Sequence, residues 1–251
     1  MDTTKSRSPV SPSAALEAAR QELIEETGRG AAGRAALECH ADRVDTLLQR
    51  LFFEAPPPIQ PVVIVALGGY GRRHLTLYSD VDILVLFEHP IGPDEELFLR
   101  GFLHPLWDLP LVVGHQVREL GEFARLETDN PEFLLALLDA RRLVGDPGLY
   151  SRFLAAFHRP EAHASILDLL QTLIDERHAK FNGTPYQLEP DTKDAPGALR
   201  DLLAVRTIAR LTDPASSVTA PPIPRASTRR RISCSASARS CTTSASAIRT
   251  F

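Results

Sequence analysis

Apolar residues recur at helical spacing through the N-terminal part of this chain and then close up into short unbroken runs. AALEAARQELIEETG (14–28) predicts a helix ended by Gly28, and Leu37, Val44, Leu47, Leu48 and Leu51 predict a second over about 31–53. Pro56, Pro57 and Pro58 stop it. PVVIVAL (61–67) is short and rich in β-branched residues, which predicts a buried strand. GGYGRRHLTLYS follows as a turn and short helix, VDILVLF (81–87) as a second strand, PDEELFLRGFLHPLWDL (93–109) as an amphipathic helix and LVVGHQVREL (111–120) as a third strand. Beyond it the spacing is helical over 130–142, 147–157 and 161–180; a polar loop runs from Asn182 to Pro196, and GALRDLLAVRTIARL (197–211) predicts a last helix.

A few strands followed by a helical run predict an α+β chain with a small mixed sheet and a helical subdomain. The expected divisions are a disordered 1–13, N-terminal helices over 14–58, a strand-bearing core over 59–125, a helical subdomain over 126–214 with the loop 182–202, and a low-complexity tail over 215–251. That tail is rich in Ser, Thr, Ala, Arg and Pro and follows a Leu-rich region abruptly. It is read either as a natural basic tail or as the product of a shifted reading frame near residue 214.

Composition narrows the function classes. With 251 residues, 43% hydrophobic and 24% charged, the chain is ordinary globular material with ample length for a core. No apolar run approaches the ~20 residues of a membrane helix, and the N-terminus shows no signal-peptide core. Three cysteines without a CxxC pair fit a reduced, cytoplasmic setting. Net charge is −4, and six of the arginines lie in 215–251, which has no acid, so the body is more acidic than the whole. That argues against non-specific nucleic-acid binding.

The candidate chemistry lies in Gly68-Gly69-Tyr70-Gly71-Arg72 followed by Ser79-Asp80-Val81-Asp82. Gly68 and Gly69 let backbone N–H groups approach phosphate oxygens. Asp80 and Asp82 stand two apart at a strand start, so their carboxylates share a side, as oxygen ligands for Mg²⁺ that leave positions to water and phosphate. Either fragment alone is commonly a turn or a solvated rim; together, at this spacing, they point to nucleoside triphosphate chemistry. GxxxxGK[ST] is absent, which excludes a P-loop NTPase.

The pattern GGYGR-x(6)-SDxD resembles the signature of the DNA polymerase beta-like nucleotidyltransferases, and ALGGYGRRHLTLYSDVDILVLF resembles the bacterial PII uridylyltransferases. FLHPLWDLPLVVGHQVREL (102–120) and NGTPYQLEPDTKDAPGALRDL (182–202) are similar to further regions of that family, so the resemblance covers about 15–212. It implies a polymerase beta-like domain followed by a helical subdomain, and transfer of UMP from UTP to a tyrosine hydroxyl of the PII protein with Mg²⁺ as cofactor. It implies Asp80 and Asp82 as catalytic metal ligands, with Gly68, Gly69, Arg72 and Ser79 around the triphosphate. Lys193 and Asp191 would join the nucleotide site from the 182–202 loop. His115 is a candidate to face the aspartates, Glu119 a candidate third carboxylate, and Arg118 either a phosphate contact or a surface ion pair.

Departures keep other readings open. The family's enzymes are much longer and carry a UMP-removing HD domain and glutamine-sensing ACT domains; no His-Asp pair occurs here, so this chain is expected to be a truncated form lacking both. A nucleotidyltransferase with another protein or small-molecule acceptor, and an inactive fragment, are the alternatives.

Overall fold

The computed structural model describes residues 11–30, 33–124, 130–184, 186, 189 and 191–212. Expectations for 1–10 and for the tail lie outside the described residues. The described chain separates into two units: the residues through Gly121 together with Asp139–Tyr150, and Glu122–Leu138 together with the residues from Ser151 onward.

The first unit begins with α1 (Pro12–Gly28) and α2 (Gly33–Glu54). Helix α1 starts earlier than predicted, because Ser11 accepts the Ala14 N–H and Pro12 occupies the first turn, where its missing N–H costs nothing. The order then runs β1 (Val62–Ala66), the one-turn α3 (Gly68–Gly71), β2 (Val81–Phe87), α4 (Pro93–Trp107), β3 (Val113–Glu119) and, after the second unit's first segment, β4 (Arg141–Gly145). The strands form one sheet in the order β3-β2-β1-β4. β1 runs antiparallel to β2 and β4, while β2 and β3 are parallel and joined by the α4 crossover that parallel neighbours require.

Strand β4 corrects the sequence reading, which made 130–142 helical and assigned 126–214 to the helical subdomain. Only Pro131–Leu137 is helical there, as α5, and Asp139–Tyr150 belongs with the sheet. Pairing with β1 overrides the local helical spacing.

Residues of alternate parity along β1 and β2 (Val62, Ile64, Ala66; Val81, Ile83, Val85, Phe87) join one core with Val44, Leu48 and Leu51 of α2 and Phe98, Phe102 and Leu106 of α4. Phe98 is at its centre, 5.5 Å from Phe52, 6.1 Å from Phe87 and 5.9 Å from Phe102 between ring centroids. The intervening positions Val63, Val65, Leu84 and Leu86 are buried too, so both central strands are apolar on both faces.

The second unit is helical: α5, the later part of α6 (Pro147–Phe157), α7 (Pro160–Lys180) and α8 (Leu199–Thr212), with Leu134, Leu137, Phe153, Phe157, Ile166 and Leu170 buried. Among the described residues no helix is long and apolar enough to cross a membrane.

Phe98→Ala removes the ring shared by three aromatic contacts. It is expected to destabilise the chain by about 3–5 kcal/mol, measured by urea unfolding; a loss under 1 kcal/mol would contradict this account of the core.

Candidate active site

The site begins with strand pairing. Ala66 is registered with Ile83, and the next residue, Leu67, donates its N–H to the Asp82 carbonyl at 2.9 Å. The end of β1 is thereby fastened to the start of β2. Leu67 is extended; Gly68 turns to a φ of 51° and the chain closes one helical turn, with Gly71 N–H on Leu67 O (2.8 Å) and Arg72 N–H on Gly68 O (3.1 Å). The amides of Gly68, Gly69 and Tyr70 are first-turn groups without an intrahelical acceptor. Gly71 has no room for a side chain: a Cβ would come within 3.0 Å of the Ala66 carbonyl oxygen and closer still to that of Asp139.

The chain returns to the aspartates through a turn closed by Ser79, whose Oγ accepts the Thr76 N–H at 3.0 Å and lies 2.7 Å from Thr76 Oγ1. Asp80 is exposed and Asp82 half-buried. Burial, and then the charge of Asp80, raise the Asp82 carboxyl above its ordinary pKa. Asp82 is registered with Gly114 of β3, and its Oδ1 lies where a Cβ at 114 would stand, inside the 3.0 Å limit for real contacts. The glycine of Val-Gly-His is therefore the space in which Asp82 rests.

That register corrects the expectations for His115 and Glu119 on β3 and places Arg118. His115 pairs with Ile83, one position on, and so lies on the face opposite Asp82; its ring packs 5.4 Å from Trp107. Glu119 is registered with Phe87, five positions from the Asp82 level and also on the opposite face, roughly 16 Å along the strand. Its Oε1 accepts the Ile91 N–H at 3.2 Å, and it is not a third carboxylate beside the pair. Arg118 shares the Asp82 face but stands four positions away, about 13 Å. Among the described residues no group of three or more His, Cys, Asp or Glu is arranged to hold a metal ion. The donors present are two like-charged carboxylates. They fit Mg²⁺, whose remaining positions water and phosphate fill, rather than an ion enclosed by protein.

Arg72 is ion-paired with Asp139, both largely buried, and its Nη2 lies 3.9 Å from the place a Cβ on Gly69 would occupy. Arg73 pairs with Asp42 of α2. One turn further along α2, Asp45 takes Arg141 in a two-point pair and accepts the Tyr70 hydroxyl at 2.6 Å. Asp42, Asp45, Asp139 and Arg141 are absent from the sequence-derived site. The available signal was two acids at i,i+3 on an otherwise apolar stripe of α2, and three charges inside the leucine-rich 134–144.

Asp191 and Lys193 belong to the second unit. Asp191 Oδ1 accepts the N–H groups of Lys193 and Asp194, each at 2.8 Å, and these bonds lower its pKa. Lys193 is exposed. The motif around them is tied down by Asp201, which receives Arg177, His178 (3.0 Å) and the Gly197 N–H. Arg177 also donates to the Asp194 carbonyl at 2.9 Å.

Residues 168–234 match the family model described as GlnD PII-uridylyltransferase. A bifunctional uridylyltransferase/uridylyl-removing enzyme of Burkholderia lata is 36% identical over 202 residues, covering 78% of this chain and 23% of the relative. Those of Burkholderia vietnamiensis (34% over 198 residues, 78% and 23%) and Burkholderia pseudomallei (37% over 171 residues, 66% and 19%) are similar. The chain thus spans about a quarter of the length of these relatives. A crystal structure of a toxin-antitoxin with AMP-PNP aligns with a TM-score of 0.29 at 18% identity, over 55% of this chain and 96% of that one.

The Asp201 knot has a pH signature. Burial alone would raise the Asp201 carboxyl, but its bonds from Arg177, Gly197 and His178 outweigh that and hold it at about 2, against an ordinary 3.8. A depressed pKa contributes stability above the unfolded value, and this is lost as pH falls toward the folded one. The stability gap between wild type and Asp201→Asn is therefore expected to narrow from pH 5 to about pH 2, read by thermal unfolding; a gap independent of pH would contradict the arrangement.

Proposed function

We propose, from a chain that is a sequence relative of the PII uridylyltransferases, that it transfers UMP from UTP to a tyrosine hydroxyl of the PII protein, releasing pyrophosphate, with Mg²⁺ as cofactor. The observation that carries this reading is the fastening of Leu67 to Asp82, which sets the glycine turn beside the paired carboxylates. Open first-turn amides and a pair of carboxylates are what a metal-bound triphosphate requires: donors for its oxygens and hard anions for its cation.

Bound Mg²⁺ supplies positive charge against the phosphate oxygens and the leaving pyrophosphate. The chain's residues do the positioning. Asp80 and Asp82 would hold the ion, whose charge would offset both the burial of Asp82 and the repulsion of Asp80, the two causes that raise the Asp82 carboxyl. The amides of Gly68, Gly69 and Tyr70 bind triphosphate oxygens, and Arg72, beside Gly69, supports the same anion. Ser79 fixes the turn that presents Asp80. The acceptor hydroxyl attacks the α-phosphorus in line, its proton passes to solvent, and the bond to pyrophosphate breaks. Rate enhancement comes from orientation and charge neutralisation.

The test is transfer of label from α-labelled UTP to purified PII by the chain with Mg²⁺. Asp80→Asn and Asp82→Asn are each expected to lower the rate by at least about 100-fold with the fold intact. Gly114→Ala, which pushes a methyl into the space of Asp82 Oδ1, is expected to lower it by about tenfold or more. A folded chain that binds Mg²⁺ and UTP but labels only another acceptor would overturn the PII assignment. One that binds no UTP would overturn the site.

A further inference from the structure

We propose that Arg141, acting with Asp45 and Tyr70, is the positioning device of the glycine turn: a partly buried charged clamp that sets the shape in which its amides receive a triphosphate. This rests on the functional reading above and assigns a role in it to residues outside the Gly68–Asp82 constellation.

The turn needs such a device. A single helical turn with three glycines in four residues has almost no stability of its own, because one or two internal hydrogen bonds do not offset the dihedral freedom that must be fixed. Its shape is imposed from outside, and the contacts show from where. Arg141 opens β4 and its guanidinium divides its donors between two tasks. Nη1 and Nη2 bind the Asp45 carboxylate at 2.6 and 3.1 Å. Nε donates to the Gly71 carbonyl at 3.1 Å and Nη2 to the Tyr70 carbonyl at 3.3 Å, the last two carbonyls of the turn. The Tyr70 hydroxyl closes the circuit by donating to Asp45 Oδ1 at 2.6 Å, and its ring, 1% exposed, lies 5.5 Å from the guanidinium carbon. Turn, helix α2 and strand β4 are thus joined through one carboxylate and one guanidinium. The backbone repeats the grip, since the Asp139 carbonyl packs where Gly71 lacks a side chain.

The groups hold the required protonation states. Burial opposes the charge on Arg141, but the bond and charge of Asp45 outweigh it and raise its pKa. Burial and then Asp45 push the Tyr70 phenol well above its ordinary value, so it stays a donor. An ion pair that served only to join α2 to β4 would leave the turn's carbonyls untouched. Here the same guanidinium holds both, opposite the end whose amides are open.

Tyr70→Phe keeps the buried ring and removes one bond of the circuit. Arg141→Lys keeps the charge but lacks the planar fork that reaches the carboxylate and two carbonyls together. Dissociation constants for UTP and for inorganic tripolyphosphate, each with Mg²⁺, are measured on the purified chain and both variants, beside their melting temperatures and steady-state kinetics. Folded variants are expected to bind both ligands about tenfold more weakly, with the kinetic loss in the KM for UTP rather than in kcat. Variants that melt earlier yet bind both ligands as the wild type does would reduce the clamp to a structural tie and overturn the inference. Should Arg141→Lys not fold, Tyr70→Phe decides alone. A wild-type chain that binds neither ligand would overturn the functional reading itself, and that outcome is visible before any variant is made.

Discussion

The antiparallel pairing of β1 with β2 is the constraint from which the site follows. Its register sets Ala66 against Ile83 and continues one residue further, through the hydrogen bond from Leu67 to Asp82. A glycine turn at 68–71 and carboxylates at 80 and 82 become neighbours because the two buried strands pair in this register. A slip of one residue would carry Asp82 to the other face, into the apolar core shared with α2 and α4. Hydrophobic packing, not any attraction between the polar groups, therefore brings the chemistry together.

Around this frame the charges are arranged in compensated pairs. Helix α2 presents Asp42 and Asp45 one turn apart, to Arg73 and Arg141, while Asp139 holds Arg72. Each pair touches the glycine turn or the residues leaving it. Buried ion pairs contribute little net stability compared with apolar packing, and their best-attested value is in specifying one arrangement. A one-turn helix built mainly of glycine is a place where such specification matters. Asp80 and Asp82 differ from these pairs: they are two negative charges near one strand end, and burial, then the charge of Asp80, raises the Asp82 carboxyl.

Much of the fold was legible in the sequence. β1 and β2 are short apolar runs that contrast with helical spacing on either side, and the glycine turn and the aspartates fall at their ends; β3 is more polar and is announced only by the Leu111-Val112-Val113 that opens it. β4 was not legible: RRLVG carries two arginines, sits between two helical segments, and becomes a strand through its long-range pairing with β1. The parity of β3 was not legible either. Spacing alone leaves open whether Gly114 or His115 faces the aspartates, and only the register decides that the residue beside Asp82 is the one with no side chain. The clamp residues were hidden for a related reason. Asp45 and Arg141 are far apart in sequence, and neither belongs to a motif that names its partner.

The central claim is that the glycine turn and the paired aspartates together hold a metal-bound triphosphate. Its most direct test is paramagnetic broadening of backbone amide resonances by Mn²⁺, with and without UTP. The account predicts broadening centred on Asp80–Asp82 and, once UTP is present, extending over Gly68–Gly71. Broadening centred elsewhere, or a turn that UTP leaves unaffected, would contradict it.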